Sequence, residues 1–152
     1  MPPKTKVCKD CYPSGHGLRS SMVPAKPRPA PHPGPRCATH HRAEKKRRKA
    51  AAHETYTQKT YGLGPGDYAR LRELQGGRCA ICRRATGATK ALAVDHDHAC
   101  CAGPVSCGNC VRGLLCSPCN RTLGHARDEL DFFKRAYRYL KNPPARQLEV
   151  DP

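Results

Sequence analysis

The chain has 152 residues and a formal charge of +16 at pH 7, with 38% hydrophobic residues, no Trp and only two Phe. That length fits one domain, or a small domain with an appendage, and fifteen Pro beside thirteen Gly exclude an ordinary large apolar core. Eleven Cys offer a substitute, as metal ligands or as disulfides.

The start, MPPKTKVCKDC, is polar and lacks the apolar stretch of a signal peptide, and no run reads as a membrane span. The expectation is a reducing, cytoplasmic compartment, where CxxC pairs bind zinc more often than they form disulfides. A four-cysteine zinc site carries about −2 and a three-cysteine, one-histidine site about −1, so one of each leaves the chain near about +13. Such a basic chain expects a polyanionic partner, and the plainer alternative is a merely solvated basic face.

Positive charge concentrates at the front, where residues 1–60 hold fourteen Lys and Arg against three Asp and Glu. In residues 1–42, Cys8, Cys11, Cys37 and either His40 or His41 read as a zinc finger closed across a Pro-rich loop. Closing a loop of that length costs little once a metal is gained. The loop, PAKPRPAPHPGPRC from Pro24 to Cys37, alternates Pro with small or basic residues and is expected to be extended and unable to pack. Residues 43–60 follow as a basic linker or helix that orders on a nucleic acid backbone. Its phosphate-contact cluster is Lys45, Lys46, Arg47, Arg48 and Lys49, useful on any DNA through counterion release.

In YGLGPGDYARLRELQGG, the spacing of Tyr68, Leu71 and Leu74 predicts a helix near 65–75, with Pro65 in its first turn and Gly76 and Gly77 ending it. ALAVDHDH and VRGLL read as two strands that pair as a hairpin. NRTLGHARDELDFFKRAYRYLKN reads as one or two helices, with Asp128 as a cap and Leu130, Phe133, Tyr137 and Leu140 as an apolar stripe. Pro143 and Pro144 stop it, and residues 143–152 form a tail.

Two knuckles, RCAIC with Cys79 and Cys82 and LLCSPC with Cys116 and Cys119, flank the hairpin and can give four thiolates to one tetrahedral Zn2+. A closed set of four thiolates leaves no open coordination position, so its task is folding. Cys100, Cys101, Cys107 and Cys110 are left for a third site, with Cys107 and Cys110 as its core pair and the fourth ligand open.

DHDH remains once the cysteines are assigned. Asp95 offers hard oxygen ligands, His96 an imidazole that accepts a proton near neutral pH, and Asn120 a carbonyl oxygen just after the second knuckle. On a regular strand Asp95 and His96 face opposite ways, and a strand end or a bulge relaxes this.

YGLGPGDYARLRELQGGRCAIC, LAVDHDH, VRGLLCSPCNRTLG and the helix after them resemble the phage recombination endonuclease VII family, part of the His-Me finger (HNH-like) nucleases, over about residues 61 to 140. The resemblance implies a small α+β domain over 61–142, built on a ββα-metal hairpin and helix. A zinc on Cys79, Cys82, Cys116 and Cys119 braces it, and the basic, Pro-rich zinc-binding arm precedes it. The implied activity is metal-dependent DNA endonuclease, with His96 as general base and Asp95 and Asn120 as ligands of one Mg2+ or Mn2+. His98 then positions phosphate or supports the site, and Arg112 and Arg121 join the DNA contacts.

A phage protein of this kind would act in the bacterial host cytoplasm, on DNA and beside recombination or packaging proteins. Two departures stand out. Ala99 to Cys110 inserts a cysteine-rich loop where the family hairpin turns tightly, and whereas the founding resolvase dimerises through a long helical C-terminal region, this sequence runs about a dozen residues past its last predicted helix. Paired cuts at a four-way junction then need a homodimer formed through another surface. The alternative reading is a zinc-dependent nucleic-acid-binding protein without catalysis, or a phage DNA-packaging accessory.

Overall fold

The computed structural model describes residues 6–11 and 28–148. The Pro24–Pro27 start of the Pro-rich run and the last four residues of the expected tail lie outside them. The chain divides into two compact units, one ending at Tyr56 and the other beginning at Thr57.

In the first unit, a 3₁₀ turn over Lys9–Cys11 is followed, after the Pro-rich run, by α1 (Ala38–Tyr61), which continues into the second unit. Ala, Glu, Lys, Arg and Gln dominate α1, and intrinsic propensity rather than burial explains it, since Thr57 is its one fully buried residue among those described. Glu44 adds i,i+3 and i,i+4 pairs with Arg47 and Arg48, at 2.9 and 2.7 Å. The described part of the Pro-rich run is extended, as expected, yet it does pack, which corrects the reading of that segment. Cys8 and Ala30 donate backbone hydrogen bonds to Arg28 and Lys6, Val7 bridges Pro29, and Ala30 is buried. Pro lacks a donor, but its neighbours supply the backbone groups that pin the strand-like run to the first knuckle.

The second unit carries α2 (Asp67–Leu74), β1 (Ala93–His96), β2 (Val111–Leu115), α3 (Ser117–His125), α4 (Leu130–Lys141) and a final 3₁₀ turn over Pro144–Gln147. The architecture is that of a small α+β protein. Asp67 opens α2 by accepting the Gly64 amide, and Gly76 and Gly77 close it in the left-handed region, as the sequence predicts. β1 and β2 pair antiparallel with Ala93 opposite Leu115 and Val94 opposite Leu114. The register then shifts: Gly113 faces Asp95 and Val111 faces His96, so Arg112 is left over between them as a bulge.

The core is small. Cys79, Leu92, Val94, Leu114 and Leu115 are buried together, with Tyr68, Leu71 and Leu123 packed around them. Gln75 seals one edge of the sheet with its side-chain amide, accepting the Leu114 N–H at 2.8 Å and donating to the Leu114 carbonyl at 2.9 Å. A residue that ends a helix thus serves as a third, one-residue strand for β2.

The last segment forms two helices. Between them Arg127 and Asp128 adopt consecutive left-handed conformations, at φ 51° and 57°, which non-glycine residues rarely hold without a compensating interaction. Asp128 therefore does not cap α4, as the sequence suggested. Glu129 precedes the helix, without a capping hydrogen bond, and the Asp128 carboxylate is spent elsewhere. Leu130, Tyr137 and Leu140 of the expected apolar stripe are largely exposed.

Candidate active site and metal centres

Among the described residues, three groups of four side chains each bring their ligand atoms within 4.8 Å of one another: Cys8, Cys11, Cys37 and His40; Cys79, Cys82, Cys116 and Cys119; Cys100, Cys101, Cys107 and Cys110. His40 supplies the imidazole of the first, with Nδ1 3.2 to 3.5 Å from the three sulfurs. His41, the other candidate, stacks on His32 at 4.4 Å instead.

Sulfur separations discriminate between the two uses of cysteine. Cys82 and Cys116 lie 3.8 Å apart, Cys11 and Cys37 4.0 Å, and Cys107 and Cys110 3.8 Å. A disulfide needs about 2.05 Å, whereas Zn–S bonds of about 2.3 Å at tetrahedral angles place sulfurs about 3.8 Å apart. The groups therefore fit zinc and can hold it.

Proton affinities of the thiols agree. Backbone amides of Ala85 and Arg84 pull Cys82 down to about 6, while burial and its hydrogen bonds with Cys116 push Cys119 up to about 12. In the third group the Asn109 amide lowers Cys107 to about 7, and contacts with Cys107 and Cys101 raise Cys100 to about 12. Without a cation some thiols of each group, Cys79 and Cys82 in the second and Cys107 and Cys110 in the third, ionise more readily while others resist, and a bound Zn2+ favours the thiolate of all four.

DHDH sits at the end of β1. The bulge at Arg112 of β2 lies opposite the step from Asp95 to His96, and both of these residues are buried, at 6% and 5% exposure. Nε2 of His96 lies 3.2 Å from the Cys101 carbonyl and 3.1 Å from the Gly103 carbonyl. Carbonyl oxygens only accept, so Nε2 carries the proton and Nδ1 is the basic nitrogen. The His98 ring lies 4.7 Å from that of His96, and the Tyr61 ring 6.0 Å from it.

Asp95 is held by Arg112 through two hydrogen bonds, Nε to Oδ2 at 2.8 Å and Nη2 to Oδ1 at 3.2 Å. The same Nη2 reaches both oxygens of Asp128 at 3.1 Å, and Asp128 lies 3.5 Å from Nδ1 of His98. Burial alone would raise the Asp128 carboxyl, but Arg112, and then His98, lower it below its ordinary value. Asn120 lies on α3, which packs against β1, and its backbone is fixed by the Cys116 carbonyl at 3.0 Å. Among the described residues its side-chain amide makes no hydrogen bond, and Arg121 follows it on the same helix.

Sequence reasoning missed Asp128 as a site residue and the two loop carbonyls that hold His96. A backbone carbonyl carries no residue-type signal, and Asp128 looked like a cap because it precedes an apolar helix. Gln75 also escaped, since an amide that completes a sheet leaves no periodicity.

A family model described as recombination endonuclease VII matches residues 54–142, and the chain belongs to that family. The family is one of nucleases. The chain is 49% identical over 146 residues to the Gene 59 protein of Mycobacterium phage L5, covering 95% of this chain and 79% of that protein. It is 46% identical, with the same coverage, to the Gene 59 protein of Mycobacterium phage D29. No solved structure matches.

Proposed function

We propose that the protein is a phage DNA endonuclease that hydrolyses phosphodiester bonds using His96 as general base and one divalent cation, Mg2+ or Mn2+. The hairpin and α3 then form a ββα-metal, His-Me finger site. The observation that carries the reading is the pairing at the bulge: a buried Asp95 next to a buried His96 whose Nε2 is engaged by carbonyls.

The donor set fits a hard cation. Asp95 and Asn120 offer oxygens, the donors that Mg2+ and Mn2+ prefer, and Arg112 is the cation that now neutralises the buried Asp95 carboxylate. Asp95 and Asn120 would hold the ion, which when bound supplies charge opposite the scissile phosphate and the leaving oxygen. His96 Nδ1 removes a proton from water, and the hydroxide attacks phosphorus in line with the P–O3′ bond. That bond breaks, the leaving 3′ oxygen takes a proton from solvent water, and the ends are a 5′-phosphate and a 3′-hydroxyl.

His98, whose ring lies 4.7 Å from that of His96 and whose Nδ1 lies 3.5 Å from Asp128, supports the site or a phosphate in this reading. Zinc on Cys79, Cys82, Cys116 and Cys119 fastens α3 to the sheet and so sets the distance from Asn120 to Asp95; zinc on Cys8, Cys11, Cys37 and His40 folds the first unit. Lys45, Lys46, Arg47, Arg48 and Lys49 on α1 supply sequence-independent phosphate contacts, with Arg121.

The test is cleavage of plasmid DNA by the purified, zinc-loaded chain with Mg2+ or Mn2+. Cleavage is expected, and His96→Ala should lower its rate by about 10²- to 10⁴-fold with zinc content unchanged. Undiminished cleavage by the variant would remove His96 from the chemistry, and a wild-type chain that binds but never cuts would return the protein to the class of non-catalytic binders.

A further inference from the structure

The connection from β1 to β2 has almost nothing apolar to hold it. Between Ala99 and Cys110 only Ser106 is buried, and Val105 is mostly exposed. Three features fix its outer end: the Ser106 amide donates to Thr60 at 2.8 Å, Ser106 Oγ touches Cys110 Sγ at 3.2 Å, and Gly108 lies on Gly62. A Cβ on Gly108 would come within 2.6 Å of the Gly62 carbonyl oxygen, so the loop meets the residue just after α1 backbone to backbone. At the other end, the amides of Cys100 and Cys101 both donate to the Asp97 carbonyl, at 3.2 and 3.0 Å.

The two halves meet at sulfur. Cys100 lies 3.9 Å from Cys107, and Cys107 lies 3.8 Å from Cys110. The atoms that hold His96 belong to this closure, because one is the carbonyl of Cys101, itself in the sulfur group, and the other is that of Gly103, two residues on.

We propose that Cys100, Cys101, Cys107 and Cys110 form a third Zn2+ site whose task is to position His96. By closing the loop, the metal fixes the carbonyls of Cys101 and Gly103 on Nε2–H and so presents Nδ1 as the base. Four soft thiolates in tetrahedral reach select zinc over the hard cation of the cleavage site. The site acts through His96 and touches neither substrate nor scissile bond, so it is a positioning element. Its mechanistic meaning rests on the proposed role of His96 as base, whereas the metal site and its effect on the ring do not.

The experiment compares the full zinc-loaded chain with Cys107→Ser and with Cys107→His, the latter keeping a zinc ligand at an exposed position. Metal analysis should give three zinc ions per wild-type chain, two for Cys107→Ser and three for Cys107→His. Nitrogen NMR of the His96 ring should show a single Nε2–H tautomer in wild type and Cys107→His, and averaging between tautomers in Cys107→Ser. Cleavage should fall about ten- to a hundredfold in Cys107→Ser, mainly in kcat, with recovery in Cys107→His.

Two zinc ions in the wild type, or four fewer free thiols on titration as two disulfides would give, overturns the metal site. Loss of the third zinc with an unaltered His96 tautomer overturns the positioning role. Should Cys107→Ser lose all its zinc and unfold, Cys107→His decides alone: two zinc ions in a folded chain contradict the proposal, and three with the wild-type tautomer support it. If the wild type cleaves nothing, the nuclease reading fails while zinc count and tautomer still judge this one.

Discussion

Arg112 lies on the carboxylate of Asp95, Nε to Oδ2 at 2.8 Å, and turns the remainder of its guanidinium to Asp128. The residue left over by the strand bulge thus occupies the oxygens that the proposed cation would use. An ion held on those oxygens would compete with Arg112 for Asp95, and Asp128 gives the guanidinium a second partner.

Arg112→Ala should therefore weaken the metal-free chain and strengthen its hold on Mg2+. Removing a charged hydrogen-bond partner from a buried carboxylate costs about 1.5–3 kcal/mol, and an ion bound only to the folded state restores stability. Urea denaturation with and without Mg2+ measures both. Equal stabilisation of wild type and variant by Mg2+ would place the ion away from Asp95.

Asp95→Ala and Asn120→Ala should each raise the Mg2+ or Mn2+ concentration needed for half-maximal cleavage by more than tenfold, an effect of about 1.4 kcal/mol or more in ion binding. Zinc content should not change, since neither residue belongs to a cysteine group. Metal titration of the cleavage rate provides the check.

Glu44 restrains part of the basic cluster on α1. Arg47, and then Arg48, hydrogen-bond to it and lower its carboxyl to about 2, whereas among the described residues Lys45, Lys46 and Lys49 have no carboxylate partner. A depressed carboxyl contributes above its unfolded value and is lost only as pH falls through the folded one, so this clamp should persist down to about pH 2. Carbon NMR of Glu44 against pH tests that directly. Neutralising the three lysines should lower the slope of log affinity against log salt by up to about 3, at about 0.9 per phosphate contact, while Glu44→Gln should steepen it.

Cys79→Ser or Cys116→Ser should abolish the fixed tertiary structure of the second unit, because among the described residues its apolar core cluster holds only five buried side chains, one of which is Cys79 itself. Near-UV circular dichroism and NMR dispersion report the loss. A chelator should do the same to the wild type, and acidification should release zinc as thiolates are protonated.

The helices, the hairpin and the knuckles could be read from residue pattern because each has a local cause: heptad-like apolar spacing in α2, a polar run of helix formers in α1, CxxC at both ends of the hairpin. His40 could not be separated from His41, since both reach from one helix turn and only the fold decides which ring meets three sulfurs. The Pro-rich run misled because its stabilising hydrogen bonds come from the backbone of Cys8 and Ala30, which composition does not reveal. Asp128 misled for the same reason, its left-handed backbone being compensated by Arg112 and His98 from elsewhere in the chain. Family membership, by contrast, rests on the order of the motifs and survives these local misreadings.

The central claim is that one hydrated cation joins Asp95, His96 and Asn120. Titrating Mn2+ into the zinc-loaded chain and recording paramagnetic broadening of assigned resonances tests it without any assay of cleavage. The account predicts that signals of these three residues broaden first and together, and that Asp95→Ala removes the effect from Asn120. Broadening confined to carboxylates other than Asp95, with Asn120 untouched, would contradict it.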